Sequence, residues 1–300
     1  MVRRLPLLRS VRRFLLLGMP LLAAAGLRAA SPPEDPPLPE LRPFLEEVRS
    51  RLHSDESLLE DYTFTEKHVE KELDSRGGVK KVTSEIYEVY PSLDPGHTYR
   101  RLVERDGRPL TEEELAREDR KHEKKIGDPD PDAAAQAKLA EKRLESRRKE
   151  ASRIEELFRI YEIRIAGREM VDGRPTIRLT FDPRPAVETS GRAGKVLKTF
   201  AGQAWVDEED RQVVRVDAEL IDNLSFGLGV LAKLHKGSRA SLLRRKVNGE
   251  IWLPAVARFT GSARILLFKG MRIDAVSEYS DYRKFQVATS SDVTPEAPQQ

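Results

Sequence analysis

The sequence predicts an α+β domain built mainly of antiparallel β-strands, and three observations carry that expectation. Apolar residues recur with period two: Ile177, Leu179 and Phe181 alternate with Thr176, Arg178 and Thr180. Further on, Val214, Val216, Ala218 and Leu220 alternate with Arg215, Asp217 and Glu219. This is the pattern of strands that bury one face. The runs are separated by tight turns such as Asp172-Gly173 and Asn248-Gly249, and Asn-Gly is the strongest short-range hairpin signal. Strands joined so tightly cannot run parallel, because a parallel crossover needs about a dozen residues or more. Finally, the stretch from about Thr111 to Arg159 is dense in Lys, Arg, Glu, Ala and Leu, which marks a charged helical insertion.

The elements follow in order. Arg3, Arg4, Arg9, Arg12 and Arg13 form a positive segment, Phe14 to Gly26 an apolar one of 13 residues, and small residues recur at Ala23 to Ala25, Ala29 and Ala30. That order is a secretory signal, and the apolar part falls short of the ~20 residues that span a bilayer. Residues 1–30 are therefore expected to be cleaved on export, and the localisation expected is periplasmic. Residues 31–43 read as a proline-rich, extended leader. A helix is expected from Phe44 to about Leu59, with Leu45, Val48, Leu52 and Leu59 on one stripe. Tyr62–Leu73 and Val79–Tyr90 flank the turn Asp74 to Gly78 as a hairpin, and Tyr99–Glu104 is a further strand closed by Asp106-Gly107.

Thr111 with Glu114 has the form of a capping box. Two helices follow, broken at Gly127 to Pro131, the second running from about Asp132 to Ile160 with Glu145–Lys149 as an i,i+4 ion pair. Sparse apolar positions place this pair at the periphery of the sheet. Strands then begin at Ile163–Ile165 and continue at Ile177–Phe181, Val196–Val206, Val214–Leu220 and Arg239–Val247. The last ones are expected at Glu250–Phe259, Ser262–Phe268 and Met271–Tyr282. Between them stand a flexible loop at Thr189–Lys195 and a short helix or lid at Ile221–Leu234. Residues 44–285 thus read as one domain with an insertion at about 111–159, and the tail 286–300 as disordered.

Composition excludes several function classes. There is no cysteine, which removes disulfides, thiolate metal sites, cysteine nucleophiles and a lipid-modified N-terminal cysteine, so no covalent membrane anchor of that kind is expected. Without residues 1–30 and their six arginines, 47 basic side chains face 50 acidic ones, a net charge of −3. Overall basicity is therefore no argument for nucleic acid. The run Arg143 to Arg153 interleaves acids and lacks aromatics, which fits a solvated helix face rather than a nucleic-acid patch.

Catalytic patterns are missing too. The five histidines, at 53, 68, 97, 122 and 235, lie far apart, with no HxxxH or HExxH spacing, so no metal is expected. No serine stands in a G-x-S-x-G elbow. Gly227 to Ala232 matches the dinucleotide fingerprint formally, but hairpin strands follow it instead of a βαβ unit. Glu112–Glu114 and Glu208–Asp210 are explained by a helix start and a turn. Neither an enzyme nor a cofactor is expected.

Two motifs point further. Gly167-Arg168-Glu169-Met170-Val171-Asp172-Gly173-Arg174 leads into a strand ending Phe181-Asp182-Pro183. Gly202-Gln203-Ala204-Trp205-Val206-Asp207 then turns into the alternating strand Val213 to Leu220. A G-x-x-W-[VI]-D strand after a G-x-x-x-x-x-G-R hairpin resembles the periplasmic lipoprotein-carrier superfamily. This group holds the LolA and LolB type outer membrane lipoprotein-sorting carriers and the N-terminal domain of RseB/MucB regulators. The resemblance covers about Gly167 to Tyr282 and, more weakly, Phe44 to Tyr90.

The resemblance implies a strongly curved, unclosed β-barrel with capping helices. It also implies binding of a lipid, acyl chain or acylated protein in the hollow, or, in the regulatory alternative, an envelope protein partner. Phe181, Phe200, Val214, Val216 and Leu220 are then expected to point into that hollow, with Arg215, Asp217 and Glu219 outward. Trp205 and Trp252 occupy strand positions where an ordinary core and an apolar cavity call for the same side chains.

Overall fold

Tight hairpins set the architecture. The computed structural model describes residues 36–53, 58–59, 61–91, 98–126, 133–189, 191–226, 232–265 and 269–284. The expected signal segment, most of the proline-rich leader, the helix breaker at Gly127 to Pro131 and the tail 286–300 lie outside them. The strands are β1 (Tyr62–Leu73), β2 (Val79–Pro91), β3 (Thr98–Arg105), β4 (Arg108–Pro109), β5 (Tyr161–Val171), β6 (Arg174–Pro183) and β7 (Phe200–Asp207). They continue as β8 (Val213–Leu220), β9 (Leu224–Phe226), β10 (Ala232–Leu234), β11 (Arg239–Val247), β12 (Ile251–Ile265) and β13 (Lys269–Lys284). Three of the turns between them, at Asp106-Gly107, Asp172-Gly173 and Asn248-Gly249, hold both central residues at positive φ. This is the backbone twist that matches the right-handed twist of the flanking strands.

All these strands join one antiparallel sheet in the order β4-β3-β2-β1-β13-β12-β11-β8-β7-β6-β5, with β9 and β10 attached beside β12. The order is not a plain meander. β1 pairs with β13 along its whole length, from Tyr62 opposite Lys284 to Leu73 opposite Arg272, so the last strand joins the first four to the rest. The ends of the sheet, β4 and β5, are not paired with each other, and the sheet is a curved half-barrel left unclosed.

The helices that accompany it include α1 (Leu41–Arg51), α2 (Glu112–Ile126), α3 (Ala133–Ile160) and α4 (Gly191–Leu197), and Leu58 and Leu59 are helical as well. α1 buries Phe44 and Val48, one turn apart, against Ile177, Leu179 and Val206. Pro43 falls in its first turn, where the missing N–H has no intrahelical partner to lose. The helix stops eight residues short of the expected Leu59, because Leu52 turns extended (φ −76°, ψ 124°). The turn between β7 and β8 holds it there. Gln212 Nε2 donates to the Arg51 carbonyl at 2.8 Å, and Arg211 Nε to Glu47 at 2.7 Å.

Several expectations change at this level. The loop expected at Thr189–Lys195 becomes α4. Gly194 has no Cβ, and so leaves room for the Glu156 carboxylate of α3 and for Thr189. Lys198 Nζ ties the far end down through the carbonyls of Pro185 (3.1 Å) and Val187 (2.6 Å). The strand expected from Val196 accordingly begins only at Phe200. Strands expected apart at Glu250–Phe259 and Ser262–Phe268 are one continuous β12.

At Ile221–Leu234 the described residues form the hairpin partners β9 and β10, paired Leu224 to Leu234 and Phe226 to Ala232, rather than a helix. Residues 227–231, with most of the formal dinucleotide fingerprint, lie outside the described residues. The capping box is present: Thr111 N–H donates to Glu114 at 2.8 Å and Glu114 N–H to Thr111 Oγ1 at 3.3 Å. α3 is exposed along its described middle, with Leu144 half in solvent. Its last turn is not peripheral, since Ile160 is wholly buried.

Candidate functional site

The concave face of β5 to β8 is apolar because parity puts every second side chain there. Tyr161 and Ile163 come from β5, Leu179 and Phe181 from β6, Phe200, Ala204 and Val206 from β7, and Val213, Val216 and Ala218 from β8. Helices roof this face: Leu45 and Val48 from α1 with Leu52 just after it, Leu157 and Phe158 from the last turn of α3, and Leu197 from α4. The half-open hollow measures about 330 Å³. Ala204 stands opposite Val216 in its wall, and beside it Gly202 stands opposite Ala218. A Cβ at Gly202 would collide with the Asp217 carbonyl and lie 2.9 Å from Ala218 Cα. Only glycine lets β7 and β8 approach this closely, as a bend in a strand requires.

Two polar groups belong to the wall. Tyr161, only 4 % exposed, meets the Phe181 ring edge-on at 5.0 Å and donates its hydroxyl to the Leu197 carbonyl at 2.6 Å, tying α4 to β5. Burial pushes the Tyr161 phenol up to about 12, so it stays neutral and a donor. Arg244 of β11 is 7 % exposed and donates from Nη1 to the Val213 carbonyl at 3.2 Å.

The structure brings together only part of the expected set. Phe181, Phe200 and Val216 line the hollow. Leu220 pairs with Phe200 and is wholly buried, but does not line it. Trp205, Val214 and Trp252 lie elsewhere, in a second cluster with Val171. For Val214 the cause is a β-bulge: Trp205 pairs with Arg215 but Val206 with Val213, leaving Val214 as an extra residue. Parity flips there, so Val213 faces the hollow while Val214 packs beside Trp205.

The cluster of the two tryptophans has polar walls. Trp205 Nε1 donates to Glu169 at 2.8 Å and Trp252 Nε1 to Asp210 at 2.7 Å. The guanidiniums of Arg215 and Arg174 stand 4.4 Å and 5.6 Å from the Trp205 and Trp252 rings.

The two sequence motifs meet in a brace at the end of this cluster. Asp207 of the G-x-x-W-V-D strand is wholly buried. It accepts from Arg174 of the Gly-Arg turn at 2.6 and 2.9 Å and from the amides of Glu209 and Asp210 at 3.0 and 2.8 Å. Burial alone would raise its pKa, but the guanidinium and the amides outweigh it and hold the carboxyl below the ordinary value. Arg174 and Asp207 therefore fasten the β5–β6 hairpin to the β7–β8 turn and do not line the hollow, whereas Val206 of the same strand does.

The other half of the sheet carries a polar group absent from the sequence reading. Glu66, 8 % exposed, takes two hydrogen bonds of 2.9 Å from Arg100 and a third from Ser277 at 3.3 Å, whose Oγ lies 2.9 Å from His68 Nδ1. Arg100 offsets the charge of Glu66 within the sheet. Among the described residues no group of three or more His, Cys, Asp or Glu is placed to hold a metal ion, and no helix is long and apolar enough to cross a membrane.

Comparison with known proteins adds a likeness of fold. No family model and no curated protein matches the sequence. Among solved structures, the chain is similar to a LolA superfamily protein from Nitrosomonas europaea, with 9 % identity over 82 % of this chain and 93 % of that one, at a TM-score of 0.29. It is also similar to a putative outer membrane lipoprotein-sorting protein domain from Vibrio parahaemolyticus, with 12 % identity over 81 % and 91 %, at 0.30. A third is the MucA/MucB complex of Pseudomonas aeruginosa, with 12 % identity over 82 % and 99 %, at 0.21. The likeness is of fold alone. It assigns no ligand to this chain.

Proposed function

We propose that this chain is a non-enzymatic binding protein of the bacterial envelope, exported to the periplasm, that holds an acyl chain or the lipid of an acylated protein in the hollow of its sheet. The observation that carries this reading is the hollow itself: about 330 Å³ walled by apolar side chains from seven elements, with Arg244 as the one charged residue of its wall among the described residues. Burying an acyl chain there yields about 0.8 kcal/mol per CH₂. An apolar cavity of about 150 Å³ admits benzene, so twice that volume suits a chain of roughly a dozen carbons. The expected signal segment supports the periplasmic location.

The test is native purification from the periplasm followed by mass spectrometry of an organic extract. An acyl lipid in stoichiometric amount is the expected result. A protein that comes away lipid-free, but binds an envelope protein, would put the regulatory role first instead.

A further inference from the structure

Beside the hollow lies a positively charged recess. This second recess, of about 220 Å³, shares Leu45, Phe158, Tyr161 and Ile163 with the hollow, so the two adjoin. Its wall adds Arg42 and Arg49 from α1 and Arg184 from the end of β6, against Glu46 as its only acid. Arg49 is ion-paired with Glu155 of α3. Arg184 donates from Nε to the Tyr161 carbonyl at 3.1 Å and has no carboxylate partner among the described residues. Arg42 makes neither an ion pair nor a hydrogen bond among the described residues. Both are exposed. Two exposed guanidiniums without a carboxylate partner among the described residues thus stand beside the apolar hollow.

We propose that the cargo is an anionic, single-chain amphiphile, with its tail in the hollow and its charged head at Arg42 and Arg184. This rests on the reading of the hollow as an acyl-chain site, and it adds head charge, chain number and orientation. The volume accommodates one chain of roughly a dozen carbons and leaves no room for two long ones. A neutral head would gain nothing from the guanidiniums, whereas a carboxylate or phosphate takes charge-assisted hydrogen bonds from them. Orientation follows from hydration. Arg244 is enclosed and already donates to Val213, and a head brought there would lose its water on every side. At the recess the head stays partly hydrated while the tail is buried.

The test is calorimetric titration of the purified protein with dodecanoate, dodecyl phosphate and dodecanol below their micellar concentrations. The anions should bind about tenfold more tightly than dodecanol, since each exposed charge pair contributes up to about fivefold, and added salt should narrow the gap. Whichever anion binds more tightly identifies the head as carboxylate or phosphate. In an Arg42→Glu/Arg184→Glu variant the preference should vanish while dodecanol binding is unchanged. Equal binding of all three by the wild type, or no effect of the double reversal, overturns the anionic head and leaves the acyl-chain site standing. Loss of the preference in Arg244→Met instead of the recess variant overturns the orientation. Binding of none of the three overturns the acyl-chain site itself.

Discussion

Val216 faces the hollow and Arg215 faces away from it, stacked on Trp205, so adjacent residues of one strand give opposite expectations. Val216→Asp should abolish uptake of a fluorescent fatty acid, because it places an unpaired charge in the wall; Arg215→Ala should leave uptake within a factor of two or so of wild type. Circular dichroism must show the Val216 variant folded, and a folded variant that takes up the probe normally refutes the site.

Asp207 supports a second prediction. Its carboxyl is held below the ordinary range, so its contribution to stability is present above the unfolded pKa of ~3.9 and is lost as pH falls through the lower folded value. Asp207→Asn should lower stability at pH 7 by about 2–3 kcal/mol, less than a fully enclosed pair because Arg174 is 31 % exposed. Urea midpoints of wild type and variant should converge as pH drops below about 4. A constant gap between pH 7 and pH 2 would show that the brace is not electrostatic. The sequence showed Asp207 and Arg174 as motif residues, but nothing in their spacing of 33 positions said that they meet.

Helix α3 divides by function along its length. The exposed middle, with Leu144 half in solvent, makes few demands on sequence, whereas Leu157 and Phe158 close the hollow and Ile160 is wholly buried. Leu144→Lys should leave stability within about 0.5 kcal/mol. Phe158→Ala should cost about 1–3 kcal/mol, below the range for a fully buried Phe, and weaken probe binding along with it. Equal thermal shifts in the two variants would contradict this division. The sparse apolar middle of α3 was legible in the sequence, and so was α1, whose Leu45, Val48 and Leu52 stripe ends up in the roof. Helix α4 was not, since seven residues with two glycines carry no periodicity; Glu156 and Lys198, from outside it, hold it in place.

At the scale of the whole molecule, β13 is the seam. It pairs with β1 on one side and β12 on the other, and Val276 sits at its centre opposite both Val69 and Arg258. A proline there removes a ladder hydrogen bond, which a strand paired on both sides does not tolerate. Val276→Pro should therefore weaken both halves of the sheet together. Tryptophan fluorescence, which reports β7 and β12, should fall at the same urea concentration as far-UV dichroism. Two separated transitions would mean that β5 to β12 fold without the seam.

The sequence by itself determined the fold class, most strand positions and the hairpin turns, because side-chain parity and positive φ at Asn-Gly and Asp-Gly are local properties. It also determined that the inward face is apolar, and that α1 and the end of α3 have something to bury. Only the tertiary structure decided which apolar residues share a space. The bulge at Val214 reverses parity in the middle of a strand whose alternation looks unbroken, and it moves Val214 to the cluster with Trp205 and Trp252. The pairing of β1 with β13, the Asp207–Arg174 brace and the recess of arginines join residues far apart in the chain. Such pairings depend on strand order and curvature, which no local pattern contains.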